Sequence, residues 1–184
     1  MYLTLVALGV LQLNFIRPCS SLSLSGPNKR PNIVFFLTDD QDSELGGMDP
    51  LLKAKKWITE KGVKFDNAFV TVPVCCPSRS SILSGLYQPN SGVVNNSLVG
   101  NCWGTEWRET QEKKTFAALL KASGYTTYYA GKYLNCYCQG GVGGDAQDLS
   151  VPSGWDNWAG LCGNSKYVVF YETAPKLLLL FFII

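Results

Sequence analysis

The sequence contains no histidine. Hydrolases that pair serine or cysteine with an imidazole base are therefore excluded, and so are zinc sites built on histidine. Proton transfer must fall to Asp, Glu, Lys, Tyr or a group made after translation. Charge is also sparse: 16 Lys+Arg against 14 Asp+Glu leave a net +2 with no long basic run, which argues against a nucleic-acid partner. The apolar runs at residues 2–13 and 177–184 are both too short to span a membrane. No internal repeat is present. At 46% apolar over 184 residues, the composition is that of a globular chain forming one domain or a piece of a larger one.

What is there begins with an amino terminus that reads as a signal peptide over residues 1–25, an apolar run followed by small residues around Cys19. A secretory route gives two other features a role. Asn95, in Asn95-Asn96-Ser97, becomes a glycosylation acceptor. Cys102, Cys136, Cys138 and Cys162 become candidates for disulfides in an oxidising compartment, with their connectivity open. Residues 168–184 end on eight consecutive apolar residues, Leu177 to Ile184, and are expected to be a divergent tail from altered splicing or an incorrect gene model.

Between these ends, hydrophobic patterning predicts alternating strands and helices. "NIVFFLTDD" (32–40) is a continuous apolar run of the kind buried in parallel sheets. Residues 50–62 read as a helix opened by Pro50 and closed by Gly62, and 63–70 as a second strand region. Residues 77–86 and 113–124 read as further helices, 125–133 as a strand, and 136–148 as a Gly-rich loop. This order predicts an α/β fold with a largely parallel sheet, in which functional groups gather beyond the carboxyl ends of the strands.

Asp39, Asp40 and Lys132 fall at such ends. Two adjacent carboxylates repel unless a cation or a hydrogen-bond network holds them, and an oxygen-only ligand set suits Ca2+ or Mg2+. In "VPVCCPSRSS" (72–81), two thiols stand where a helix begins. Adjacent cysteines resist bonding to each other. A helix start favours anions and lowers the pKa of a thiol placed there. Arg79, one turn in, adds a guanidinium suited to a tetrahedral oxyanion, and Lys132 supplies a second positive group. Cys75, Arg79 and Lys132 together suggest a site for a sulfate- or phosphate-like group.

In order and character, "PNIVFFLTDDQD", "CCPSRSSILSG" and "GYTTYYAGKYLN" resemble the sulfatases, over about residues 31–167. Within that family, "LGGMDPL", "VVNNSLVGNC", "AGKYLN" and "NSKY" are similar to the glucosamine-6-sulfatase type, with the extracellular heparan endosulfatases second. The resemblance implies the N-terminal part of an alkaline-phosphatase-like α/β sheet with flanking helices. It implies that Cys75 is converted to formylglycine by the formylglycine-generating enzyme, with Cys76 the variable residue of a C-x-P-S-R signature and packed or paired elsewhere. It implies Ca2+ on Asp39, Asp40 and residue 75, with Arg79 holding the hydrated aldehyde and Lys132 contacting the substrate sulfate. The substrate implied is a 6-sulfated glucosamine in a glycosaminoglycan, and the location lysosomal, with extracellular second. Cys136 stands where the family tends to have Glu, and Leu86 where it tends to have a basic residue. Family members continue well beyond this length and supply further calcium ligands, so this chain is expected to be inactive alone. The alternative is a non-catalytic secreted fragment binding sulfated glycans through Arg79 and Lys132. A phosphatase or phosphomutase shares the fold and metal logic but has no need of the C-x-P-S-R signature.

Overall fold

The computed structural model describes residues 30–140 and 147–164. The expected signal peptide, Cys19 and the apolar tail lie outside the described residues, as does part of the Gly-rich loop. The chain divides into two units, Met1–Val34 and Phe35–Ile184. Of the first, residues 30–34 are described; they are exposed and form neither helix nor strand. All elements below belong to the second.

Helix α1 (Leu52–Ala54) runs on through a wider helical turn at Lys55–Thr59, inside the region expected to be helical, and it buries no residue. Helix α2 (Cys75–Ser84) begins two residues earlier than expected. Val74 is extended and its carbonyl accepts the Ser78 N–H at 2.9 Å, which closes the first turn. Pro77 is tolerated there because first-turn N–H groups lack helical partners anyway. Gly85 ends the helix at φ 71, a left-handed conformation that glycine adopts without a Cβ clash, and donates to Ser81 O at 2.8 Å. Short helices follow at α3 (Gln88–Ser91) and α4 (Thr105–Thr110). A tight 3-10 turn at Glu112–Lys114 leads to α5 (Phe116–Ala122), whose cap is Thr115, its hydroxyl accepting the Ala118 N–H.

Strand β1 (Tyr128–Lys132) lies inside the expected strand region. It pairs in parallel with β2 (Asn157–Leu161), from Tyr128 opposite Asn157 to Lys132 opposite Leu161. Asp156 fixes the start of this pair. Its carboxylate accepts from the backbone and hydroxyl of Thr127 at 2.9 and 3.0 Å and pairs with Lys121 at 2.8 Å. The Lys121 hydrogen bond, with those of Thr127, holds its pKa down to about 2. Gly154 permits the return chain to touch α5: a Cβ there would meet Ala118 N at 2.3 Å.

The core is aromatic. Tyr129 stacks on Trp158 with ring centroids 4.4 Å apart and meets Trp155 edge-on at 4.9 Å, while Trp103 meets Tyr137 at 5.1 Å. Two disulfides close loops beside it, Cys76–Cys102 and Cys138–Cys162. No helix among the described residues is long and apolar enough to cross a membrane.

Three expectations are corrected. Residues 32–40 and 63–70 form no strand, and most of their apolar side chains are exposed. A strand exists only through a neighbour's ladder, and among the described residues the sheet has two strands, which pair with each other and not with these segments. Cys136, expected among the disulfide cysteines, is a free buried thiol. Its Sγ–H donates to Asn96 O at 3.2 Å, and burial pushes its pKa up. The partner it lacks is accounted for by Cys76, which takes Cys102.

Candidate active site

Helix α2 carries Cys75 in its first turn, half-buried and unpaired, while Cys76 points away into its disulfide. The two adjacent thiols are thus separated by helix geometry, since consecutive residues on a helix do not share a face. Asn96 Oδ1 accepts the Cys76 N–H at 2.8 Å and secures the helix start.

One turn on, Arg79 is 5% exposed. It donates through Nη1 to Lys132 O at 2.8 Å and through Nη2 to Asp39 Oδ1 at 3.1 Å. Lys132, at the carboxyl end of β1 and 4% exposed, donates from Nζ to Asp39 Oδ2 at 2.9 Å. The Tyr129 hydroxyl donates to the same Lys132 carbonyl. Burial pushes the Tyr129 pKa well up, with Arg79 opposing, so the phenol remains a neutral donor. Asp39 therefore binds two cations brought from a helix and from a strand, and these joints span 40 and 93 residues of sequence.

Asp40 is exposed and adopts φ 49, a left-handed conformation uncommon outside glycine, though aspartate is among the side chains that tolerate it. The ligand atoms of Asp39, Asp40 and Cys75 all lie within 4.8 Å of one another. Two carboxylates suit a hard cation such as Ca2+; a thiol sulfur is a soft donor and suits it poorly, whereas an oxygen at the same position would complete a hard set. The acid pair thus fits Ca2+, and residue 75 fits it best in an oxygen-bearing form.

All five site residues marked out in the sequence, Asp39, Asp40, Cys75, Arg79 and Lys132, come together. Asn95 stands apart, exposed in the loop before Ser97, with Oδ1 accepting from the Ser97 backbone and hydroxyl at 2.9 and 2.7 Å. Sequence reasoning missed Asn96 and Tyr129. Tyr129 could have been suspected from its place in β1 three residues before Lys132; Asn96 carried no signal beyond the sequon.

The sulfatase family model matches residues 31–167. This chain belongs to the sulfatase family. It is 51% identical over 140 residues to N-acetylglucosamine-6-sulfatase of Homo sapiens, covering 76% of this chain and 25% of that protein. The corresponding goat (Capra hircus) protein is 50% identical over 150 residues, covering 79% and 26%. A putative extracellular sulfatase Sulf-1 homolog of Caenorhabditis elegans is 42% identical over 152 residues, covering 83% and 20%. The chain thus spans about a quarter of the length of these relatives. No solved structure matches it. The sulfatase domain is of the alkaline-phosphatase-like α/β class, and the described residues form part of one, helices beside a small parallel sheet.

Proposed function

We propose that this sulfatase chain carries the nucleophile and the first calcium ligands of an enzyme removing the 6-sulfate of N-acetylglucosamine residues in glycosaminoglycans. The observation that carries the reading is the convergence of Asp39, Asp40 and Cys75 within 4.8 Å, beside Arg79 and Lys132. Cys75 is the residue converted to formylglycine by the formylglycine-generating enzyme, with molecular oxygen as the oxidant and the thiol sulfur leaving as sulfide. One hydroxyl of the hydrated aldehyde attacks the ester sulfur, and the sugar oxygen leaves with its bonding pair and takes up a proton. The second hydroxyl then loses its proton, the aldehyde carbonyl re-forms, and sulfate departs; water restores the hydrate. This divides one difficult displacement into two.

Asp39, Asp40 and the oxygen on residue 75 would hold Ca2+, which when bound supplies positive charge against the nucleophilic and sulfate oxygens. Arg79 and Lys132 provide fixed positive charge where negative oxygens develop. Their burial does not suit the alternative of passive glycan binding at the surface. The two disulfides and the exposed sequon at Asn95 support a secretory route, which serves a lysosomal and an extracellular enzyme alike.

Co-expression with the formylglycine-generating enzyme, followed by mass spectrometry of the peptide carrying Cys75, tests the reading. We expect the mass change of exchanging the thiol for an aldehyde oxygen. A peptide that keeps its thiol throughout overturns the proposal. Sulfate release from 6-sulfated glucosamine by the converted protein is expected to disappear in Cys75→Ala. Turnover that survives Cys75→Ala would overturn the assignment of the nucleophile.

A further inference from the structure

Asp39 is shared between two uses. It is one of the three groups gathered for a cation, and it also binds both buried cations of the site, Arg79 through Oδ1 and Lys132 through Oδ2. Asp39 and Asp40 against Arg79 and Lys132 sum to no net charge. A sulfate entering such a site meets a lysine whose ammonium is already held at 2.9 Å by a carboxylate.

We infer that Asp39 acts as an exchange point: a divalent cation bound at Asp39 and Asp40 takes over the carboxylate oxygen that now holds Lys132, and the freed ammonium turns to the incoming oxyanion. Cation and sulfate then bind cooperatively through one side chain. This rests on the metal reading proposed above and goes beyond it, because it assigns Lys132 two partners in sequence.

The two cations differ in how easily they can be released. Arg79 is anchored independently, through Nη1 to the Lys132 carbonyl at 2.8 Å, so loosening Asp39 leaves its fork in place. The Lys132 backbone is likewise fixed, by β1 pairing to Leu161 and by the Arg79 and Tyr129 donors on its carbonyl. Only the flexible stem and ammonium of Lys132 need move. Lysine suits that duty, having a compact charge on rotatable bonds, whereas arginine suits a fixed bidentate one.

Calorimetric titration of the purified chain tests the exchange, with inorganic sulfate as the anion and calcium chloride as the cation. We expect sulfate to bind about tenfold more tightly in saturating calcium than in chelator, and calcium to gain the same factor in saturating sulfate, since coupling is reciprocal. Asp39→Asn should bind sulfate more tightly than the parent in chelator and ignore calcium. Lys132→Met keeps Asp39 but removes its competitor, so calcium should bind it more tightly than the parent, with no gain from sulfate. Calcium binding with unchanged sulfate affinity overturns the exchange and leaves the metal reading standing. An absence of calcium binding overturns both. Should Asp39→Asn fail to fold, the Lys132→Met result decides alone: calcium affinity equal to or below that of the parent overturns the exchange.

Discussion

Residues 35–74 and the described part of 75–164 are both rich in large apolar side chains, yet the first stretch leaves most of them in water and buries none, whereas the second gathers a buried core. Phe69 is 88% exposed, whereas Trp107 is fully buried. In the second stretch a helix, a capped turn and two parallel strands return on one another, and disulfides of 26 and 24 residues' separation hold the returns. In the first, α1 is short and buries nothing, and the flanking apolar runs have no ladder to join among the described residues. Hydrophobicity alone therefore did not decide burial; the presence of a partner surface did. Phe35 illustrates the boundary, since it stays partly exposed but reaches Phe116 edge-on at 6.2 Å.

The contrast can be broken by truncation. Trp107→Ala should cost about 3–5 kcal/mol in urea unfolding, through lost burial and a cavity. Phe69→Ala should stay within about 0.5 kcal/mol, as for other exposed positions. Equal losses would mean that the first stretch is packed after all.

Asp39 is the point where the first stretch is fixed to the second, so Asp39→Ala should cost about 3–5 kcal/mol by leaving Arg79 and Lys132 buried without it. Asp40→Asn, which keeps a side chain that tolerates the left-handed backbone at φ 49, should cost far less. A silent Asp39→Ala in the same unfolding assay would sink the claim that this anchor matters. Next in size, replacing Cys138 and Cys162 together by serine should lower stability by about 3 kcal/mol, on the loop-entropy account of a cross-link of this length.

The smallest effect concerns pH. Burial raises the Glu112 pKa above the ordinary 4.5, against the lowering influence of the Ser153 N–H, Arg108 and Trp103. The folded protein then holds this proton more tightly than the unfolded chain. Its contribution to stability is fully present below 4.5 and is lost as pH rises through the elevated folded value. Glu112→Gln should remove that part of the pH dependence and gain relative stability at neutral pH. Parallel stability-versus-pH curves for parent and variant would contradict it.

Local signals were legible in the sequence where the physics is local. Pro77 lies in the first turn of α2, Gly124 follows the end of α5, and a Cys at a helix start beside an Arg one turn on is a matter of spacing. The residue types of the site were legible too. Their mutual engagement was not: no pattern in the chain says that Lys132 reaches Asp39 rather than solvent. Strand β2 was missed because "NWAGL" offers one aromatic residue and no β-branched one, and pairing rather than propensity makes it a strand. The apolar run at 32–40 failed for the converse reason, having the propensity without the neighbour. Cys136 failed because counting thiols cannot say which pairs approach within bonding distance.

The bond between Cys76 and Cys102 also bears on the order of events during maturation. Two neighbouring thiols, Cys75 and Cys76, compete for one partner that emerges later from the ribosome. Under the proposed conversion of Cys75, a bond from Cys76 leaves that thiol available, whereas a bond from Cys75 would consume it. On that proposal, the choice of one sulfur in this disulfide decides whether the modification can take place.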